Sequence, residues 1–145
     1  MSRMAQALVL ARYEDEVMEP LTRPDETRTW RGEFTQIPGW FVGGWYLEFF
    51  RSYQRHGLLA DLEALPWKQP YCLQVMLHDE DDDCFGLWMF HDGALVEVPI
   101  ARVQRVQRVH TYEPGPGYLC RTDEPHFESL APQSPDFVQD PRLSW

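Results

Sequence analysis

YCLQVMLHDEDDDCFGLWMFHDGALVEVPI, Tyr71 to Ile100, carries the clearest strand pattern in the chain. Residues 71–78 alternate with a period of two, the signature of a strand. Tyr71, Leu73, Val75 and Leu77 point to one side; Cys72, Gln74, Met76 and His78 point to the other. Residues 84–91 repeat the alternation, and Ala94–Ile100 supplies a third strand. The connection Asp92-Gly93 is a strong hairpin signal, because a type I′ turn needs positive φ at both central positions. Together these predict a three-stranded antiparallel meander. Closing the first hairpin with His78 opposite Cys84 sets Leu77 against Phe85, Val75 against Leu87 and Leu73 against Met89. Closing the second at Asp92-Gly93 sets Met89 against Val96 and Leu87 against Val98. In that register the apolar rows share one face, and a slip of one residue would move each row to the other face. The second face carries Trp88, Phe90, Leu95 and Glu97, and is read either as covered by a helix or the C-terminal tail, or as a patch for a partner.

Outward from the meander, residues 28–37 (RTWRGEFTQI) alternate and predict an additional N-terminal strand, stopped by Pro38-Gly39. Residues 44–56 predict an amphipathic helix: Trp45, Phe49 and Tyr53 recur every four residues, with Glu48, Arg51, Gln54 and Arg55 opposite. Gly57 would be its C′ residue, and a short helix over 58–65 would end at Pro66. Residues 4–13 fit a strand or a short helix, and 14–27, with Pro20 and Pro24, read as a loop. In 101–110 (ARVQRVQRVH) the three-residue spacing of valine favours helix and the β-branching favours strand, so the choice stays open. The expected fold class is α+β: an antiparallel sheet packed by the 44–56 helix and the short helix. A single domain spans 1–145, with a Pro-rich tail, 121–145, pinned by Phe127, Phe137 and Trp145.

The chain of 145 residues is long enough for one core, and its 43% hydrophobic content argues against whole-chain disorder. Its net charge of −10, from 23 acids against 13 bases, argues against direct contact with nucleic acid or an anionic membrane and suits a basic partner. No 18-residue apolar run occurs, and Glu14-Asp15-Glu16 follows the first apolar stretch too closely for a signal peptide. Three scattered cysteines do not form a disulfide framework. The expected location is the cytoplasm. The absence of Asn and a single Lys against twelve Arg suggest a GC-rich bacterial gene.

No motif in the sequence names a chemistry. The five histidines show no HxxxH or HExxH spacing. His78 and Cys84 with an acid could form a small zinc site, though three such residues at one turn usually coincide by chance. Asp79-Glu80-Asp81-Asp82-Asp83 starts like a calcium loop but has Cys84 where the glycine belongs and Phe90 at the twelfth position. No nucleophile elbow, dinucleotide fingerprint or phosphate loop is present. No catalytic, cofactor or metal residue is therefore assigned. The expected partner-binding residues are Asp79, Glu80, Asp81, Asp82 and Asp83, with Trp88, Phe90 and Glu97 beside them. On this reading the five acids are presented to a basic site while an aromatic side chain anchors the contact. The implied function is an acidic inhibitor of the immunity-protein or antitoxin type, neutralising a toxin with a basic site. An acidic secretion chaperone is the second reading, and a small enzyme or metal-binding protein the third.

Overall fold

The computed structural model describes residues 4–39, 43–50, 54–100, 103–106, 118–121 and 145. The architecture is α+β, built on a six-stranded antiparallel sheet. In chain order its strands are β1 (Ala5–Leu10), β2 (Thr35–Gln36), β3 (Gly44–Phe49), β4 (Gln74–Asp79), β5 (Gly86–His91) and β6 (Ala94–Glu97). The spatial order is β2-β3-β1-β4-β5-β6, so the N-terminal strand is central and pairs with β3 on one side and β4 on the other. Two short helices, α1 (Asp15–Met18) and α2 (Leu58–Ala64), contribute buried side chains to the core. A separate two-stranded ladder joins β7 (Val103–Val106) to β8 (Tyr118–Arg121).

The core lies on one face of the sheet. Small residues of β1, Ala5 and Ala7, face Phe49 and Leu47 of β3, which leaves room for the large rings of Trp45 and Phe49. Val75 and Leu77 of β4, Trp88 of β5 and Leu95 of β6 continue the layer. Met18, Trp30, Phe34, Leu58, Leu59 and Leu62 close it from the helices and the long loop. Trp30 is edge-on to both Phe34 and Phe49, at centroid distances of 6.1 and 6.4 Å, an arrangement that satisfies the ring quadrupoles.

The meander is present, and its second hairpin has the expected register: Met89 pairs with Val96 and Phe90 with Leu95. Asp92 and Gly93 have φ of 49° and 81°, the positive values that a type I′ turn requires. The first hairpin is displaced by one residue. Leu77 pairs with Gly86, Met76 with Leu87 and Val75 with Trp88. The slip turns β5 over, so Trp88 faces the core and Leu87 and Met89 lie half-buried on the other face. Two causes act together. Trp88 buries more apolar area than Leu87 or Met89, and the acidic connection is folded into the protein rather than projecting from a tight tip.

The stretch predicted as a helix over 44–56 begins instead as strand β3, Gly44–Phe49, and its residues 51–53 lie outside the described residues. A spacing of four residues fits a helical turn and also two periods of a strand, so the aromatic stripe is compatible with both. What decides is the full alternation: Trp45, Leu47 and Phe49 are buried while Tyr46, Glu48 and Phe50 are exposed. Gly57, at φ 96°, is accordingly the N-cap of α2 rather than the end of a preceding helix. α2 itself, expected over 58–65, is present and ends where Leu65 turns extended before Pro66. The strand expected over 28–37 is reduced to Thr35–Gln36. The Arg28 guanidinium holds the earlier part as a loop, donating to the carbonyls of Pro20, Arg23 and Gly32 and lying 4.7 Å from the centre of the Trp30 ring. Residues 15–22, expected as loop, form α1 and a 3-10 turn, Glu19–Thr22, with Pro20 in its first turn. In the undecided segment 101–110, Val103–Val106 is strand, and 101–102 and 107–110 lie outside the described residues. Of the tail anchors, Trp145 is buried against Phe49; Phe127 and Phe137 also lie outside the described residues.

Candidate functional site

The acidic run does not behave as one surface. Asp79 and Asp82 are 5% and 9% exposed, whereas Glu80 and Asp83 are exposed and Asp81 is intermediate. The Asp82 carboxylate accepts the Asp79 N–H at 2.8 Å and the Leu119 N–H at 2.6 Å. The Asp83 N–H donates to the Leu119 carbonyl at 2.9 Å, so the loop clasps β8 against the end of β4. Asp79 forms an ion pair with Arg55, both side chains being largely buried, and the Arg55 guanidinium lies 4.6 Å from the centre of the Trp145 ring. Glu80 is tied to the start of β1 through reciprocal hydrogen bonds with Met4. His78 stacks on Phe85 and its Nε2 is 2.9 Å from the Asp82 carbonyl oxygen.

The aromatic and acidic residues expected beside the loop are not gathered around it. Trp88 is 1% exposed and packs in the core, because the register slip points it inward. Phe90 packs against the same core, and Glu97 pairs with Trp88 across β5 and β6 and is only partly exposed. Trp88 therefore cannot be the exposed anchor. Of the acids, only Glu80, Asp81 and Asp83 face solvent enough to contribute an outward field. The pair His78 and Cys84 acquires no metal-binding arrangement: among the described residues, no group of three His, Cys, Asp or Glu side chains is placed to hold an ion.

A second acidic region, not singled out in the sequence, lies toward the β2 edge of the sheet. A groove of about 760 Å³ runs along the outer edge of β3, within the size range of ligand-binding clefts. One bank is Pro24, Asp25, Glu26, Arg31 and Glu33; the other is Tyr46, Glu48 and Phe50, with Gly32 and Leu47 also lining it. It opens because β2 is so short. Thr35 pairs with Tyr46, but the preceding Phe34 turns inward, its N–H donating to the Leu21 carbonyl at 2.9 Å. The Arg31 N–H is held by the Gln54 carbonyl at 2.7 Å. The chain between these two points therefore leaves the hydrogen-bonding edge of β3 and passes against the Leu47 side chain. Gly32 makes the bend possible: its φ is 124°, and a Cβ there would meet the Leu47 side chain at 2.7 Å.

Among the described residues, four carboxylates and one guanidinium line this groove; the Arg31 guanidinium donates to the Glu26 carbonyl at 3.2 Å, and the Arg28 Nε lies 3.7 Å from Asp25 Oδ2. Asp25 is fixed by its own turn. Its Oδ1 accepts the Thr27 hydroxyl at 2.6 Å and the Thr27 N–H at 2.9 Å, bonds that hold the carboxyl below its ordinary pKa. Glu48 accepts a bond from Gln6 Nε2 at 3.3 Å. The rings of Tyr46 and Phe50 are 43% and 55% exposed. The carboxylates and rings of the described lining suit cation recognition: carboxylates for a guanidinium or ammonium, and aromatic faces for the same cations. The signal that could have revealed it was the outward set Tyr46, Glu48 and Phe50, hidden as long as 44–56 was read as a helix.

Comparison with family models, with curated proteins and with solved structures finds no match. Among the described residues, no helix is long and apolar enough to cross a membrane.

Proposed function

We propose that the protein is a small acidic binding protein that acts in the cytoplasm by masking a basic site on a protein partner, in the manner of an immunity protein or antitoxin-like inhibitor of a bacterial toxin. The observation that carries this reading is the β3-edge groove, where among the described lining residues the four carboxylates of Asp25, Glu26, Glu33 and Glu48 stand with Tyr46 and Phe50 and outnumber Arg31 and the Arg28 that pairs with Asp25. A basic side chain entering there gains charge-assisted hydrogen bonds and ring contacts at once. The net charge of −10, with Glu80, Asp81 and Asp83 adding to the field from the loop, would speed encounter with a positive surface.

The test is kinetic. For a basic protein captured on this chain, the association rate should fall at least about tenfold between low salt and several hundred millimolar salt, while dissociation changes less. An association rate indifferent to salt would remove electrostatic masking as the mechanism.

One observation favours the secretion-chaperone reading instead. The sheet face opposite the core carries half-buried Leu8, Leu10, Met76, Leu87 and Met89 and exposed Val96, and a chaperone binds its effector through apolar surface. On that reading, Leu87→Glu and Met89→Glu would abolish capture and neutralising the groove would not.

A further inference from the structure

The main-chain hydrogen bonds around β3 say more about what the groove receives. The Ala11 N–H donates to the Gly43 carbonyl at 2.7 Å, which places residues 43, 45, 47 and 49 in hydrogen-bonded pairs with β1. The Ile37 N–H donates to the Gly44 carbonyl at 2.8 Å, which turns residues 44, 46 and 48 toward the opposite, outer edge. β2 meets that edge at Gly44 and Tyr46. The next rung would join residue 33 to Glu48, but Glu33 has swung to the far bank of the groove. The Glu48 N–H and carbonyl therefore face the groove one rung beyond the end of β2. The Glu48 side chain stands on the outer sheet face, in the same row as those of Tyr46 and Phe50.

We propose that this missing rung is filled by an extended segment of the partner, which adds to the edge of β3 and sets an arginine or lysine opposite Glu48. The inference rests on the binding reading above and specifies how the same groove is used. Partners in a hydrogen-bonded antiparallel pair project side chains to one face. The residue paired with Glu48 thus lies beside its carboxylate, with Tyr46 and Phe50 as neighbours along the strand. A cation is the side chain that all three favour, and Glu33 and Glu26 on the far bank add to the same preference. Main-chain bonds would supply affinity and the cation specificity, as in other strand additions at open sheet edges.

The experiment titrates the full-length ¹⁵N-labelled protein with three capped pentapeptides, Thr-Thr-X-Thr-Thr, in which X is arginine, N-methylarginine or norleucine. The arginine peptide should shift the Glu48 amide saturably. N-methylation, which removes the donor of the new rung but keeps the charge, should weaken binding about fivefold or more. Norleucine should weaken it similarly, and Glu48→Gln, which keeps the main-chain N–H, should narrow the gap between arginine and norleucine. Equal binding of the arginine and N-methylarginine peptides, with shifts at the groove, would overturn strand addition and leave a cation-binding groove standing. No shift at any groove residue with any peptide would overturn both.

Discussion

Replacing Asp82 with alanine distinguishes a structural clasp from a solvated acid cluster by the sign of the effect. The side chain is 9% exposed and accepts two main-chain N–H groups, those of Asp79 and Leu119. A hydrogen bond to a charged acceptor contributes about 1.5–3 kcal/mol net, and both donors would be left without it. Water entering the truncated site offsets part of the loss, so about 3–4 kcal/mol is the expected cost, a large share of a typical domain stability. Asp82→Asn keeps one acceptor and should lose roughly half as much. Asp83→Ala, at an exposed side chain, should stay within about 0.5 kcal/mol. If the five acids formed only a solvated cluster, removing any of them would relieve like-charge repulsion and stabilise the protein slightly. Urea unfolding followed by tryptophan fluorescence measures the difference. With a slope of about 2 kcal/mol/M, Asp82→Ala should lower the midpoint by roughly 1.5–2 M. Equal midpoints for Asp82→Ala and Asp83→Ala, or a rise for the former, would refute the clasp.

Arg55→Met leaves Asp79 buried without its cation and should destabilise by about 3–5 kcal/mol, whereas Arg55→Met combined with Asp79→Leu should recover much of that in the same urea titration. Trp145→Ala removes a buried ring packed on Phe49 and under Arg55, and its main-chain oxygen accepts the Gly57 N–H at 2.6 Å; thermal unfolding should show a loss of about 3–5 kcal/mol. Thr27→Val removes the hydroxyl that is the largest cause of the lowered Asp25 pKa, so carboxyl-carbon NMR should show Asp25 titrating at higher pH in the variant. The sign follows from the direction: a carboxyl lowered by folding contributes stability above its ordinary pKa and loses it as pH falls through the lowered value. Thr27→Val should therefore flatten the acid side of the stability profile.

The parts of this fold legible in the sequence were those fixed by neighbours in the chain. Asp92-Gly93 set the second hairpin because turn chemistry is local. Pro66 marked the end of α2 for the same reason. Residues 44–50 misled because a four-residue recurrence of aromatics serves a helix and a strand equally; the long pairing with β1, more than thirty residues earlier in the chain, settles it. The first hairpin misled because the fate of Asp82 depends on Leu119, thirty-seven residues away. The same holds for the candidate site. Asp79 pairs with Arg55 and Glu80 with Met4, contacts that no spacing within the acidic run encodes. The groove was the least legible feature, since it exists only because Gly32 and Phe34 draw the chain away from the edge of β3. Glu14 makes the same point inside the core: a buried carboxylate, its oxygens accept the N–H groups of Lys68 and Gln69, more than fifty residues distant.

Capture on paired baits tests the binding claim most directly. The wild-type protein and a Glu33→Gln/Glu48→Gln variant of matched stability would be immobilised and exposed to lysate of the source organism at low and at high salt. The bound proteins would then be quantified by mass spectrometry. One dominant basic protein at near equal stoichiometry is expected on the wild-type bait, sharply reduced on the variant and at high salt. Equal recovery of the same protein on both baits, or capture that salt does not weaken, would contradict the claim.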